Sequence, residues 1–215
     1  MNYESYILHH MKLLFFTLFL FIPFLSKSQS PSSGFKKLSC PEKWWVVCHP
    51  FIAKKAYHIT LEARNVSKEM EKDSLLDHDS DGGQVDAFRH SYWMARLSQE
   101  ICWRKATSLG KAHERGNFRD FKNHRSGEEI FSDSIAGAMD LFNNKTGIDL
   151  GRKNKMLPKE EIQKLVRAKI LNGGMKIILK DARGNSLDCK GNIIELKNYS
   201  GTWNIPRCLV NSVRQ

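Results

Sequence analysis

The stretch that most constrains this chain runs from residue 82 to residue 94 and reads GGQVDAFRHSYWM. The paired glycines predict a turn, and the run that follows predicts a helix. On a helix, Asp86, Arg89 and His90 project from one face, because they are spaced at i, i+3 and i+4. These charged or polar groups are costly to bury on a largely apolar helix unless each has a partner. We therefore expect their partners elsewhere in the chain.

Two further polar groups lie on separate predicted helices. They are His113 with Glu114, and Asp140 with Asn143 and Asn144. Adjacent asparagines are poor helix formers, so something other than helix stability is expected to hold them there. A helical bundle can bring such groups from several helices into one interior cleft. The sequence thus predicts a single polar cluster that also includes Asp86, Arg89 and His90.

The spacing of apolar residues predicts a helical body over residues 50–174 and a small β tail over residues 175–215. The predicted helices run from Pro50 to about residue 70, from residue 84 to about 99, from about Trp103 to Glu114 with closure at Gly116, from a cap at Ser132 or Asp133 to Gly147, and from Pro158 to Gly173. Residues 117–130 are expected to be irregular. The predicted fold class is α+β, a mostly helical, bundle-like body followed by a small C-terminal β-meander.

The N-terminus has the composition of an export signal. An apolar run from Leu13 to Leu25 follows Lys12 and is short for a transmembrane helix. We expect residues 1–30 to be a secretory signal peptide, with Met11 as an alternative start and an uncleaved anchor as the other interpretation. The expected protein is exported across the inner membrane and is periplasmic or secreted, with no membrane span after signal cleavage.

All five cysteines follow that segment, and an oxidising compartment favours disulfides. Pairing neighbours along the chain predicts Cys40–Cys48 and Cys189–Cys208 and leaves Cys102 as a buried thiol, although spacing alone does not fix connectivity. Residues 31–49 are expected to be a linker and a Cys/Trp-rich plug, which the first bridge would close and whose tryptophans would dock on the core. The cysteine spacings match no zinc motif.

The chain is basic, with a formal net charge of +11. This balance suits an anionic substrate or surface, although a solvated basic surface is the simpler explanation. One acidic loop stands out. Asp77, Asp79 and Asp81 match the first half of an EF-hand calcium loop, but Phe88 stands where the bidentate glutamate is required. Capping of the next helix by Asp81 is the simpler explanation of that loop.

The combination of DAFRHSYW, AHE and MDLFNN resembles an uncharacterised domain family of secreted bacterial proteins. The resemblance extends over roughly Cys40 to Val210 and includes the opening CPEKWWVV and the closing RCLV. It implies a secreted, mostly helical domain whose motif positions are those of the predicted cluster. These positions are Asp86, Arg89, His90, His113, Glu114, Asp140, Asn143 and Asn144. The resemblance implies no reaction.

Three functions are compatible with the cluster. In the first, a hydrolase uses His90 as general base, oriented by Asp86, with His113 or Glu114 as its counterpart. Its substrate-binding residues would be Arg89, Asn143, Asn144 and Trp93, which suit an anionic group or a developing oxyanion. In this interpretation the hydrolase activates water without forming a covalent intermediate.

In the second, His90, His113 and Asp140 bind a divalent metal that activates water, as in a metal-dependent hydrolase or nuclease. In the third, the cluster is a buried hydrogen-bond network in a non-catalytic binding or structural envelope protein. The residues identify no cofactor beyond that divalent metal and no specific substrate.

Overall fold

The structure is a computed structural model that describes residues 31–123 and 132–213, so the predicted signal peptide lies outside the described residues. The elements in these ranges are α1 (Pro31–Lys37), α2 (Cys40–Cys48), α3 (Pro50–Met70), α4 (Gln84–Glu100), α5 (Trp103–Lys122), α6 (Ser134–Lys153), α7 (Lys159–Leu171), β1 (Lys176–Ile178), a 3-10 helix (Leu196–Tyr199) and β2 (Leu209–Asn211). Over the same ranges, no helix combines the length and apolarity that a membrane crossing requires.

Helix α4 lies at the centre of the helical body. Its side chains are buried on nearly every side, and Phe88, Tyr92, Met94 and Leu97 are among the most enclosed. Helices α3, α5, α6 and α7 pack around it, and α6 makes the most extensive contact. The sequence predicted this helix and α3 within a residue of their observed ends.

The contact between α4 and α6 depends on two glycines of α6. A Cβ atom added to Gly147 would overlap the backbone oxygen of Ser91, and one added to Gly151 would overlap that of Ala95. The prediction that Gly147 ends the helix is therefore wrong. This glycine permits close backbone packing, and α6 continues to Lys153. The predicted N-cap at Asp133 is confirmed, because its carboxylate accepts from the N–H groups of Ile135 and Ala136 at 2.9 and 2.8 Å.

Helix α5 also extends beyond its predicted end. Gly116 lies inside the helix, and a Cβ atom there would overlap the side chain of Ser39. This glycine packs against the start of α2 and does not close α5, which runs on to Lys122. The expectation of irregular structure is therefore wrong for residues 117–122, while residues 124–131 lie outside the described ranges.

The segment predicted as a linker and plug is helical. In α2, Glu42 Oε2 accepts from the backbone N–H of Ser39 at 2.8 Å and from its hydroxyl at 2.7 Å. Trp45 packs into the core, and its indole N–H donates to Ser108 Oγ at 2.8 Å. Trp44 is 65% exposed. Only one of the adjacent tryptophans therefore anchors the segment.

One of the two predicted disulfides is confirmed, that between Cys189 and Cys208. The Cys40–Cys48 pairing is wrong, because these thiols are free and lie at opposite ends of α2. Eight helical steps separate them by about 12 Å, whereas a disulfide requires Cα atoms within about 7 Å. Cys102 was predicted to be buried, but it is exposed where the chain enters α5.

The fold class is confirmed. In the tail, β1 and β2 pair antiparallel, with Lys176 opposite Asn211, and isolated bridges join the turns between them. The tail is attached to the entrance of α4. The N–H of Ile178 donates to Gly82 O at 2.8 Å, and Gln84 Nε2 donates to Ser212 O at 2.7 Å.

The loop before α4 is organised by backbone hydrogen bonds to carboxylates. Asp77 Oδ2 accepts from the N–H of Gln84 at 2.7 Å, so Asp77 caps the helix and the prediction of Asp81 is wrong. Lys180 donates to Asp79 Oδ2 at 2.7 Å. A lysine thus neutralises a carboxylate that the half-matched calcium motif would have needed as a ligand.

The crossing of α4 and α6 can be tested with Gly147→Ala. We expect a loss of about 1–3 kcal/mol in the free energy of unfolding, because the new methyl group must push the helices apart. The measurement is urea unfolding followed by circular dichroism. Gly137→Ala in the same helix is the control, because its Cβ would meet only Glu114 Oε2 at 3.9 Å. Equal stability of the two variants would contradict the assigned contact.

Candidate functional site

The polar groups predicted to meet do come together between three helices. Helix α4 contributes Asp86 and His90, α5 contributes Glu114 beside His113, and α6 contributes Asp140 and Asn144. On both α4 and α6, the paired residues are four positions apart, so each pair projects from one helix face.

Asp86, His90 and Asp140 form the centre of the cluster. His90 Nε2 lies 3.4 Å from Asp86 Oδ1 and 3.4 Å from Asp140 Oδ1. One potential ligand atom from each residue lies within 4.8 Å of the others. All three residues are buried, with exposed fractions of 6%, 3% and 7%. The metal-ligand set that the geometry supports therefore contains Asp86 in the place predicted for His113.

Many atoms around this centre lack hydrogen-bond partners. Over the described parts of the chain, seven buried side-chain atoms have no hydrogen bond, and six of them belong to this cluster. They are Asp86 Oδ1, His90 Nδ1, Glu114 Oε1, Asp140 Oδ1 and both amide atoms of Asn144, and of these Asp86 Oδ1 has an ion-pair contact with Arg89. Buried polar groups in folded proteins are nearly always paired. Their concentration here is typical of a ligand site.

The pKa values of all three carboxyl groups of the cluster are raised. Burial raises the pKa of Asp140 well above its ordinary value, and the charges of Asp86 and Glu114 raise it further. Burial also raises the pKa of Asp86 and of Glu114, although Arg89 opposes the first shift and His113 the second. The centre is therefore a region of negative potential that a proton or a cation would relieve.

His90 is held in its neutral form. Burial lowers its pKa well below the ordinary value, and the charges of Arg89 and His113 act in the same direction. The Asn144 side chain acts in the opposite sense but does not outweigh them. A neutral imidazole is the form that binds metal ions.

His113 has a partner that the sequence did not reveal. Its Nδ1 lies 2.9 Å from Glu42 Oε1 of α2, and its side chain is 34% exposed. Burial lowers the pKa of His113, but the hydrogen bond that it donates to Glu42 and the charge of Glu114 outweigh this effect and raise the pKa overall. Burial alone would raise the pKa of Glu42, yet its contacts with His113 and Ser39 lower it to about 2. Both shifts favour the charged forms of the two partners, an imidazolium and a carboxylate.

Arg89 lies at the outer edge of the cluster. Its guanidinium contacts Asp86 Oδ1 at 2.5 Å and His90 Nε2 at 3.2 Å, and its side chain is 39% exposed. Arg89 and His113 are basic residues beside the buried centre whose side chains are partly exposed.

Two predicted substrate-binding residues have structural contacts. Asn143 donates to Lys176 O and accepts from Lys176 N, both at 2.9 Å, so its amide joins α6 to β1. Trp93 is buried, and its indole N–H donates to Thr60 Oγ1 at 2.9 Å. The edge of its ring faces His113, with centroids 5.7 Å apart. Of the two adjacent asparagines, Asn144 is the one that faces the cluster.

A sequence model of one protein family, described as a domain of unknown function (DUF6973), matches residues 43–174. The chain belongs to this family. The DUF6973 match covers α3 to α7 and the cluster residues on α4, α5 and α6, and it begins one residue after Glu42. No curated protein and no solved structure matches the chain. The family description assigns no activity, so the chemistry has to be argued from the geometry of the cluster.

Asp140→Asn tests the electrostatics of the centre. The folded-state pKa of Asp140 is raised, so the stability it contributes is full below the unfolded pKa and is lost as pH rises through the folded pKa. In EDTA at pH 8, we therefore expect Asp140→Asn to be more stable than the wild type by about 1 kcal/mol or more. At pH 4 the difference should shrink.

The measurement is denaturant unfolding of both proteins at the two pH values. Asp149→Asn on the same helix is the control, because this carboxylate is half exposed and 4.0 Å from Arg152. An Asp140→Asn variant that is less stable than the wild type at pH 8 would refute the charge assignment.

Proposed function

We propose that this chain is a divalent-metal-dependent hydrolase whose metal is held by Asp86, His90 and Asp140. The observation that carries the proposal is the convergence of these three buried residues, because one potential ligand atom of each lies within 4.8 Å of the others. One imidazole nitrogen and two carboxylate oxygens suit Zn²⁺ or a similar transition-metal ion. A bound cation would also neutralise the carboxylates whose pKa values burial raises.

The spacing of the three side chains supports a tetrahedral ion. Ligands held at about 2.1 Å from such an ion are separated from each other by about 3.4 Å. His90 Nε2 lies 3.4 Å from each of the two carboxylate oxygens. Three protein ligands leave a fourth position for water, as catalytic zinc sites do.

The residues around the centre can supply the remaining chemistry. A metal-bound water loses its proton near neutral pH. Glu114 would accept that proton, since its Oε1 is buried without a hydrogen bond and burial raises its pKa. Arg89 and His113 would hold an anionic group of the substrate, and the basic charge of the chain favours such substrates. Among anionic substrates, we propose a phosphodiester.

A purely structural network explains the cluster less well. In such a network each buried polar atom should be satisfied by another member. Asn143 behaves in that way, because both of its amide atoms are bonded to Lys176. Glu114 Oε1, in contrast, is buried and has no hydrogen bond to any described residue.

We also propose that the protein is exported to the periplasm or the medium. The apolar run from Leu13 to Leu25 has the composition of a secretory signal. The Cys189–Cys208 disulfide is of the kind that persists in oxidising compartments.

Metal binding is tested by titrating Zn²⁺ into EDTA-treated, dialysed protein in a calorimeter. We expect one ion per chain and a rise in melting temperature, because the ion binds only the folded site. His90→Ala should abolish both effects. His58→Ala removes an exposed histidine and should leave them unchanged. Binding that survives His90→Ala would place the metal elsewhere.

Catalysis is tested on the metal-loaded protein with bis(p-nitrophenyl) phosphate. Glu114→Gln should keep the zinc stoichiometry and lower kcat by roughly 10²–10⁴-fold, which is the usual contribution of a general base. The same assay should include a phosphate monoester and a carboxylic ester. A protein that binds one zinc yet cleaves none of the three would have a structural metal, and the hydrolase proposal would fail.

A further inference from the structure

Large apolar side chains are exposed where α2 meets α3. Trp44, Val47 and Phe51 have exposed fractions of 65%, 60% and 98%. Trp44 and Val47 share one face of α2 by their i, i+3 spacing, and the thiol of Cys48 is exposed beside them. Single exposed apolar residues are ordinary, but three large ones within eight residues of the chain indicate an interaction surface. We call Trp44, Val47, Cys48 and Phe51 the docking face.

The docking face is held in place by the core. The neighbouring Trp45 is buried, and its indole N–H donates to Ser108 Oγ of α5 at 2.8 Å. Glu42, earlier in the same helix, contacts His113 of α5 at 2.9 Å. Helix α2 is therefore fixed to α5, and the exposure of Trp44 is a property of the folded surface.

The surroundings of the docking face are strongly basic. Residues 34–57 contain five lysines, Lys36, Lys37, Lys43, Lys54 and Lys55, and a single acidic residue. That residue is Glu42, whose side chain is 14% exposed and is engaged by His113. Four of the lysines are exposed and Lys43 is half-buried. Lys55 is paired with Glu100 at 3.3 Å, and the other four lysines keep the patch cationic overall.

We propose that the docking face binds the surface of an anionic lipid bilayer, with Trp44, Val47 and Phe51 entering the headgroup region and the lysines contacting the headgroups. Trp and Phe flanked by lysines are the residues of interfacial membrane contacts. Charge argues for this occupant over a second copy of the chain, because a symmetric dimer would bring the two lysine sets together. The proposal is independent of the metal site.

The experiment compares vesicle binding by the full chain and two double variants. Trp44→Ser/Phe51→Ser removes two side chains of the docking face. Leu141→Ser/Met156→Ser is the matched control, because it removes two exposed apolar side chains elsewhere. Vesicles of equal parts phosphatidylcholine and phosphatidylglycerol are sedimented, and vesicles of phosphatidylcholine alone report the charge requirement. Circular dichroism and melting temperature establish that both variants are folded.

We expect the wild type and the control to bind the anionic vesicles equally and the neutral ones weakly. The Trp44→Ser/Phe51→Ser variant should partition at least about tenfold less, because burying either ring is worth more than a factor of ten in affinity. Equal binding by all three proteins overturns the proposal, and so does binding that does not depend on the anionic lipid.

A label on Cys48 separates the docking face from other membrane contacts. In the variant Cys40→Ser/Cys102→Ser, an environment-sensitive fluorophore on Cys48 should shift to shorter emission wavelength on binding anionic vesicles. An unchanged emission in vesicle-bound protein would place the contact elsewhere, such as in the apolar run at residues 13–25. Sedimentation equilibrium without vesicles tests whether a second copy of the chain occupies the docking face. A wild-type dimer that Trp44→Ser/Phe51→Ser dissociates would make the face a homodimer interface and overturn the membrane assignment.

Discussion

The close approach of α4 and α6 is the constraint on which the rest of the structure depends. Asp140, Asn144, Gly147 and Gly151 are spaced at i, i+4, i+7 and i+11, so they form one stripe along α6. Its glycine half lies against the backbone of α4, where any side chain would overlap Ser91 or Ala95. Its polar half meets Asp86 and His90 of α4. The backbone contact thus sets the distance at which the polar side chains face each other.

This arrangement places an electrostatic cost inside the core. Two carboxylates and an imidazole are buried with one atom of each within 4.8 Å of the others, and Glu114 adds a third carboxylate beside them. Arg89 relieves the repulsion only from the outer edge, because its side chain is partly exposed. A chain selected for stability alone would replace such a group with apolar residues of similar volume. The uncompensated charge is the physical reason to assign a ligand to this cluster.

Much of the fold could be predicted from the sequence, because α3 and α4 carry long and regular apolar patterns with clear ends. The true ends of α5 and α6 could not be predicted, because Gly116 and Gly147 were interpreted as the points where these helices end. Locally a glycine indicates termination, whereas here both glycines permit contact with another element. The Cys40–Cys48 pairing failed for a related reason, since sequence proximity says little about distance once the intervening residues are helical.

The sequence predicted which groups of residues form the candidate site. The structure shows which residues of each group face the cluster and which have other contacts. Asn143 and Asn144 are adjacent, so they point about 100° apart on a helix and cannot both face the same cluster. Nothing in the sequence indicates which of them faces it. Glu42 was missed because its spacing from Ser39 is that of a capping box, a local role that conceals the contact with His113.

The C-terminal tail joins the middle of α6 to the entrance of α4. Lys176 is bonded to Asn143 of α6, while Ile178 two residues later is bonded to Gly82 at the entrance of α4. A strand of three residues, β1, therefore connects the helices that carry Asp140 and Asp86. The family match ends at residue 174, just before β1 begins. A chain that ended there would keep every ligand of the cluster and lose this second connection between the helices that carry them.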